Sequence, residues 1–193
     1  MEPMVGRPPA GGALSRVLAR GMLRLAGWQI DGDAPTVPKL VLVGAPHTTN
    51  LDFVLAKLTA AALGVRLSWV GKASLFRGPF GWLARGLGGI PVDRTASEGF
   101  VAAMVDEFRQ REGFYLALMP AGTRSSPDQW RSGFYYIARD AGVPMFPVVF
   151  DWEHRTMRIG PLLHSSPDAS FEDELPQIQA RFAGVRGRCA RQL

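Results

Sequence analysis

Leu40-Val41-Leu42-Val43-Gly44-Ala45-Pro46-His47-Thr48-Thr49-Asn50-Leu51-Asp52-Phe53 is the stretch on which the fold of this chain turns. The apolar run 40–43 is the pattern of a buried strand, and Pro46 biases Ala45 toward an extended backbone. Thr49 or Asn50 can cap a helix, and between Asp52 and Leu63 only one further charge occurs. The stretch therefore predicts strand, short loop, helix. His47 and Asp52 are five residues apart, and at about 3.6 residues per turn that spacing separates two side chains by roughly 140° on one helix. They can meet only if His47 precedes the helix and Asp52 lies in its first turn, where the positive helix end favours the ionised carboxylate. Such a pair is a base and its orienter: the imidazole takes a proton from a hydroxyl near neutral pH, and the carboxylate fixes the tautomer. The plainer alternative is a polar loop histidine beside an ordinary first-turn acid, and the rest of the chain has to decide between them.

Outward from this stretch, strand and helix patterns alternate. Strands are expected at 40–43, 66–70, 90–92, 114–118, 145–150 and 156–159, and helices at 51–63, 96–111 and 133–141. Alternation of this kind predicts an α/β fold, a mixed and largely parallel sheet flanked by helices. Ligands in such folds gather where strands end and helices begin, which is where His47 falls. A length of 193 residues, 47% of them apolar and 20% charged, suits one domain with a substantial core. Residues 1–12 read as a loose N-terminus, 13–182 as the domain, and 183–193 as a basic tail.

Lys+Arg 22 against Asp+Glu 17 gives a net charge of +5, nearly all of it from arginine. That balance suits an anionic partner such as a phosphorylated small molecule or an acidic membrane surface; no nucleic-acid module accompanies it. A single cysteine, Cys189, excludes an intramolecular disulfide framework, and no Cys/His cluster gives a zinc signature, so metal ligands are expected to be none. No basic start with an apolar core marks a cleaved signal, and no unbroken apolar stretch spans a bilayer, so a cytoplasmic setting is the default.

Residues 13–28 read as an N-terminal amphipathic helix, with Leu14, Val17, Leu18, Met22, Leu25 and Trp28 on one stripe and Arg16, Arg20 and Arg24 on another. Two placements fit: in the interface of an anionic leaflet, or packed on its own domain with a solvated arginine face. Residues 74–87 alternate Leu75, Phe76, Phe80, Trp82, Leu83 and Leu87 with glycine and arginine, a segment too broken for a buried helix, able to dip into lipid or wall an acyl groove. His154, His164, Trp130 and Trp152 read as structural or packing residues.

Three further segments carry chemistry. Gly88-Gly89-Ile90-Pro91-Val92-Asp93-Arg94 is a glycine pair, a short strand and an arginine; Met119-Pro120-Ala121-Gly122-Thr123-Arg124-Ser125-Ser126 opens from a strand end into a loop rich in donors. Backbone N–H groups around glycine, the Thr123 and Ser125 hydroxyls and forked guanidinium groups are what hold phosphate oxygens. Taken singly, Arg94 reads equally as a surface residue paired with an acid, and the Arg124 loop as an exposed turn. Val143-Pro144-Met145-Phe146-Pro147 is an apolar strand edged by prolines.

In this order, the four segments resemble the glycerolipid acyltransferases of the 1-acyl-sn-glycerol-3-phosphate (lysophospholipid) type, most of all short bacterial members. His47 and Asp52 match the H-x-x-x-x-D block, residues 89–94 the glycine-rich block ending in arginine, residues 120–125 the P-E-G-T-R-S block, and residues 143–147 the proline-bearing apolar block. The likeness covers about residues 39–163 and includes Trp69-Val70-Gly71-Lys72. It implies a membrane-associated O-acyltransferase of phospholipid biosynthesis that moves a fatty acyl chain from an acyl-CoA or acyl-carrier-protein thioester to a lysophospholipid hydroxyl, most simply that of 1-acylglycerol-3-phosphate. No cofactor and no acyl-enzyme are implied. His47 and Asp52 would be catalytic, and Lys72, Arg94, Gly122, Thr123, Arg124 and Ser125 would bind substrate. The expected partners are the lysophospholipid, the thioester donor, an acidic carrier protein by charge, and the inner face of the cell membrane. Ala121 departs from the family, which has glutamate there. That departure leaves open a lyso-lipid acceptor without phosphate, or an inactive lipid- or phosphate-binding protein at the membrane surface.

Overall fold

The structure is a computed structural model, and it describes residues 11–79, 81–92, 97–121, 129–166 and 168–188. The chain order is α1 (Ala13–Leu25), β1 (Gln29–Asp31), β2 (Lys39–Ala45), α2 (Leu51–Leu63), β3 (Ser68–Lys72), a 3₁₀ turn (Ala73–Phe76), α3 (Gly81–Gly86) and β4 (Gly89–Val92). It continues with α4 (Ser97–Gln110), β5 (Phe114–Leu118), α5 (Gly133–Asp140), β6 (Met145–Asp151), β7 (Thr156–Ile159) and α6 (Phe171–Ala180). The strands form one seven-stranded sheet in the order β1-β7-β6-β2-β5-β3-β4. Every neighbouring pair is parallel except β6 with β7, which is antiparallel. The fold is thus α/β with a mixed, largely parallel sheet.

The central strands are apolar without alternation because both of their faces are covered. Val41, Val43, Leu116, Leu118, Met145 and Val149 face α4, α5 and α6, whose Phe108, Ile137 and Ile178 complete that layer. Leu40, Tyr115, Ala117, Phe146, Val148 and Phe150 face the other way, onto Leu23, Leu55 and Ala60 of α1 and α2.

All six expected strands are present, but β1 and α6 were not legible. Gln29–Asp31 is three residues with one apolar side chain, paired along a sheet edge with β7. The start of α6 did carry a signal: Ser170 and Asp173 cap it reciprocally, and Phe171 and Ile178 are buried seven residues apart. The segment 74–87 is half regular, with Phe76 buried while Leu75, Trp82, Leu83 and Leu87 stay exposed. Within the expected tail, Val185 is buried and Gly187 lies against Thr48, so residues 183–188 pack onto the body of the protein. No helix among the described residues is long and apolar enough to cross a membrane.

Helix α1 is placed opposite to a helix that merely covers a core. Only Ala19 and Leu23 are buried, against α2, while Leu14 is 72% and Leu25 91% exposed and Val17, Leu18 and Met22 are also exposed. Two exposed arginines reach across to the end of α2: Arg20 Nε donates to Ala62 O at 3.1 Å, and the Arg16 stem lies over Gly64. Cations there meet the negative end of α2.

Candidate active site

The register of the sheet brings the site together. β2 ends at Ala45 beside Val149 of β6, and the two strands run the same way, so the chain after each emerges on one edge. From β2 come a cis Ala45–Pro46 bond, His47 and the start of α2. From β6, running two residues beyond that level, come Asp151 and then Trp152.

Asp52 is fully buried and has every oxygen occupied. Its Oδ2 faces His47 Nδ1 at 3.2 Å and accepts the Thr48 and Thr49 backbone N–H groups, each at 2.8 Å. Its Oδ1 accepts Trp152 Nε1–H at 2.8 Å. Burial alone would raise the carboxyl's pKa; the hydrogen bonds from His47, Thr49, Trp152 and Thr48 outweigh it and hold the group below its ordinary value. Asp52 is therefore an anion at neutral pH. The His47 side chain is 20% exposed, and with Nδ1 turned to Asp52 its Nε2 is the nitrogen left to take a proton. Asn50 occupies the N-cap position but makes no side-chain cap; Thr49 Oγ1 instead accepts from Leu51 N at 2.8 Å, and Asp52 itself ties down the loop.

Lys72 closes β3 and is exposed on the same edge, paired in register with Val92 of β4. β4 and β5 also end on this edge, at Val92 and Leu118. Arg94, which follows β4, and Gly122, Thr123, Arg124 and Ser125, which follow β5, lie outside the described residues. Ala121 is buried just past the end of β5. His154 and Trp130 have structural surroundings: His154 Nδ1 lies 3.0 Å from Asp151 Oδ2, and Trp130 packs on Phe134 and Phe182. Trp152 does more than pack. Its contact with Asp52 spans a hundred positions of sequence, and no local pattern signals it.

A buried carboxylate facing a partly exposed imidazole, at the carboxyl ends of the parallel strands of an α/β fold, is an arrangement able to serve general-base chemistry. The family model described as Acyltransferase matches residues 32–151, and the chain belongs to the acyltransferase family. It is 28% identical over 140 residues to a 1-acyl-sn-glycerol-3-phosphate acyltransferase of Streptococcus pneumoniae, a match that covers 68% of this chain and 52% of that protein. The chain thus spans about half the length of this curated relative. In fold it is similar to the crystal structure of the 1-acyl-sn-glycerophosphate (LPA) acyltransferase PlsC from Thermotoga maritima. The TM-score is 0.61 at 15% identity, covering 87% of this chain and 75% of that one.

Proposed function

We propose that this protein transfers a fatty acyl group from an acyl-CoA or acyl-carrier thioester to the free hydroxyl of a lysophospholipid, with 1-acylglycerol-3-phosphate as the acceptor. The observation that carries the reading is the buried Asp52 carboxylate held against His47 Nδ1 at 3.2 Å. His47 Nε2 removes the acceptor's hydroxyl proton as its oxygen attacks the thioester carbonyl. The new C–O bond forms, the C–S bond breaks, and the thiolate leaves and is protonated. A thiolate is a good leaving group, so the protein needs no nucleophile of its own. Asp52 keeps the tautomer and stabilises the imidazolium. Arg94 and Arg124, with Gly122, Thr123 and Ser125, hold the acceptor phosphate, and Lys72 adds a cation on the same edge; fixing the phosphate turns encounter into proximity. The outward apolar stripe of α1 and exposed Trp82 of α3 support docking on an acidic membrane from the cytoplasmic side.

The test is thiol release from palmitoyl-coenzyme A in detergent, with and without lysophosphatidate, for wild type and His47→Ala, with lipid products identified by mass spectrometry. Acceptor-dependent release that disappears in the variant, with a diacyl product, is the expected result. Silence across a panel of lyso-lipids and carrier thioesters would overturn it. Ala121 favours a second acceptor, a lyso-lipid without phosphate, because the carboxylate that the family carries in that block is missing here. In that case Arg94→Ala and Arg124→Ala cost far less than His47→Ala.

A further inference from the structure

We propose that Trp152 is a positioning residue for the His47–Asp52 pair, its indole N–H fixing the carboxylate that orients the imidazole. The inference rests on the general-base reading above and adds a residue that lies outside all four motif blocks. Oδ2 of Asp52 is held by His47 and two backbone N–H groups, whereas Oδ1 meets the Trp152 Nε1–H at 2.8 Å. A carboxylate turns easily about its last torsion, so donors on one oxygen leave its plane poorly defined. A donor on the second oxygen sets it. Asp52 is wholly buried, so removing that donor takes a hydrogen bond from a charged oxygen in a site closed to bulk solvent, which is costly.

The choice of side chain is informative. Indole donates and cannot accept, so it has no lone pair with which to draw the imidazole N–H away from Asp52. It is also immobilised on several sides. Trp28, just past α1, meets it edge to face with centroids 4.9 Å apart, and the Arg188 guanidinium sits 5.2 Å above its ring. The Trp152 backbone N–H donates to Arg186 O at 3.3 Å. Among the described residues, the charged groups around this assembly include His47 and Asp52 themselves, Arg188 over the ring, and the Arg186–Glu153 pair at 3.8 Å. Trp152 thereby shares the charge of Asp52 through its indole N–H.

The experiment compares wild type with Trp152→Phe, which keeps an aromatic ring against Trp28 and removes the donor. The expected loss in kcat is about tenfold, with KM for thioester and acceptor changed by less than about twofold. The acid limb of the kcat/KM profile moves to higher pH, because the unshared carboxylate binds the imidazolium proton more strongly. In an Asp52→Asn background the same substitution adds no further loss, since its effect runs through Asp52. Unchanged kcat and pH limb, or losses that multiply in the double variant, would overturn the proposal. Should Trp152→Phe fold poorly, site-specific replacement by benzothienylalanine, an isostere with sulfur in place of the N–H, gives the same comparison. Wild-type activity with an indifferent Trp152→Phe refutes this inference alone; an inactive wild type refutes the acyltransferase reading beneath it.

Discussion

At the scale of single residues, Asp52 and Lys57 are ionisable groups whose surroundings shift their protonation. Replacing Asp52 by Asn keeps its shape but removes the charge that, in the proposed mechanism, stabilises the imidazolium, and His47→Ala removes the proposed base. Both are expected to lower kcat by about 10²–10⁴, read as acceptor-dependent thiol release. The folded-state pKa of Asp52 is depressed, so the folded protein holds its carboxyl proton more weakly than the unfolded chain does. Its stabilising effect is complete above the ordinary carboxylate value of 3.8 and is lost as pH falls through the lower folded-state value. Denaturant unfolding between pH 5 and pH 2 should therefore show wild type losing stability relative to Asp52→Asn. Lys57 changes stability with the same sign in a higher pH window. Its ammonium donates to Leu67 O at 2.9 Å and Leu87 O at 2.8 Å, tying α2 to the ends of two loops. Burial, with Arg66 as a lesser cause, pushes its pKa down to about 8 from 10.5. Here the unfolded chain binds the proton more tightly, so stability rises with pH between about 8 and 10.5. Lys57→Met should flatten that rise in the same unfolding assay.

At the scale of elements, α1 separates two functions of one helix. Leu23 is buried against α2, and Leu23→Ala should cost about 2–5 kcal/mol of unfolding free energy. Leu14, Leu18 and Leu25 project into solvent, and changing all three to Gln should leave thermal stability nearly unchanged while reducing sedimentation with phosphatidylglycerol vesicles at least several-fold. Both apolar and basic stripes of this helix were visible in sequence. Which stripe faces the protein was not, because periodicity gives the angle between two faces and not the neighbour each one meets. α2 and the central strands were legible for a simpler reason: their apolar runs are long and covered on both sides. β1 was not, since a three-residue edge strand takes its conformation from its partner β7.

At the scale of the whole molecule, the site is closed by segments distant from it in sequence. Gly187 approaches Thr48 so closely that an added Cβ would lie 2.5 Å from Thr48 Cγ2. Thr48 is β-branched and stiff, and its N–H holds Asp52 at 2.8 Å. Gly187→Ala is therefore expected to destabilise by about 1–3 kcal/mol, measured by denaturant unfolding, and to lower thiol release several-fold. The strand-loop-helix around His47, the pairing of its imidazole with Asp52 and the α/β class were legible in the sequence alone, because each depends on neighbours within a few residues. The oxygen-by-oxygen fixing of Asp52 was decided only by the tertiary structure. Its donor on Oδ1 arrives from the end of β6, one hundred positions later, through a parallel register that no local pattern encodes.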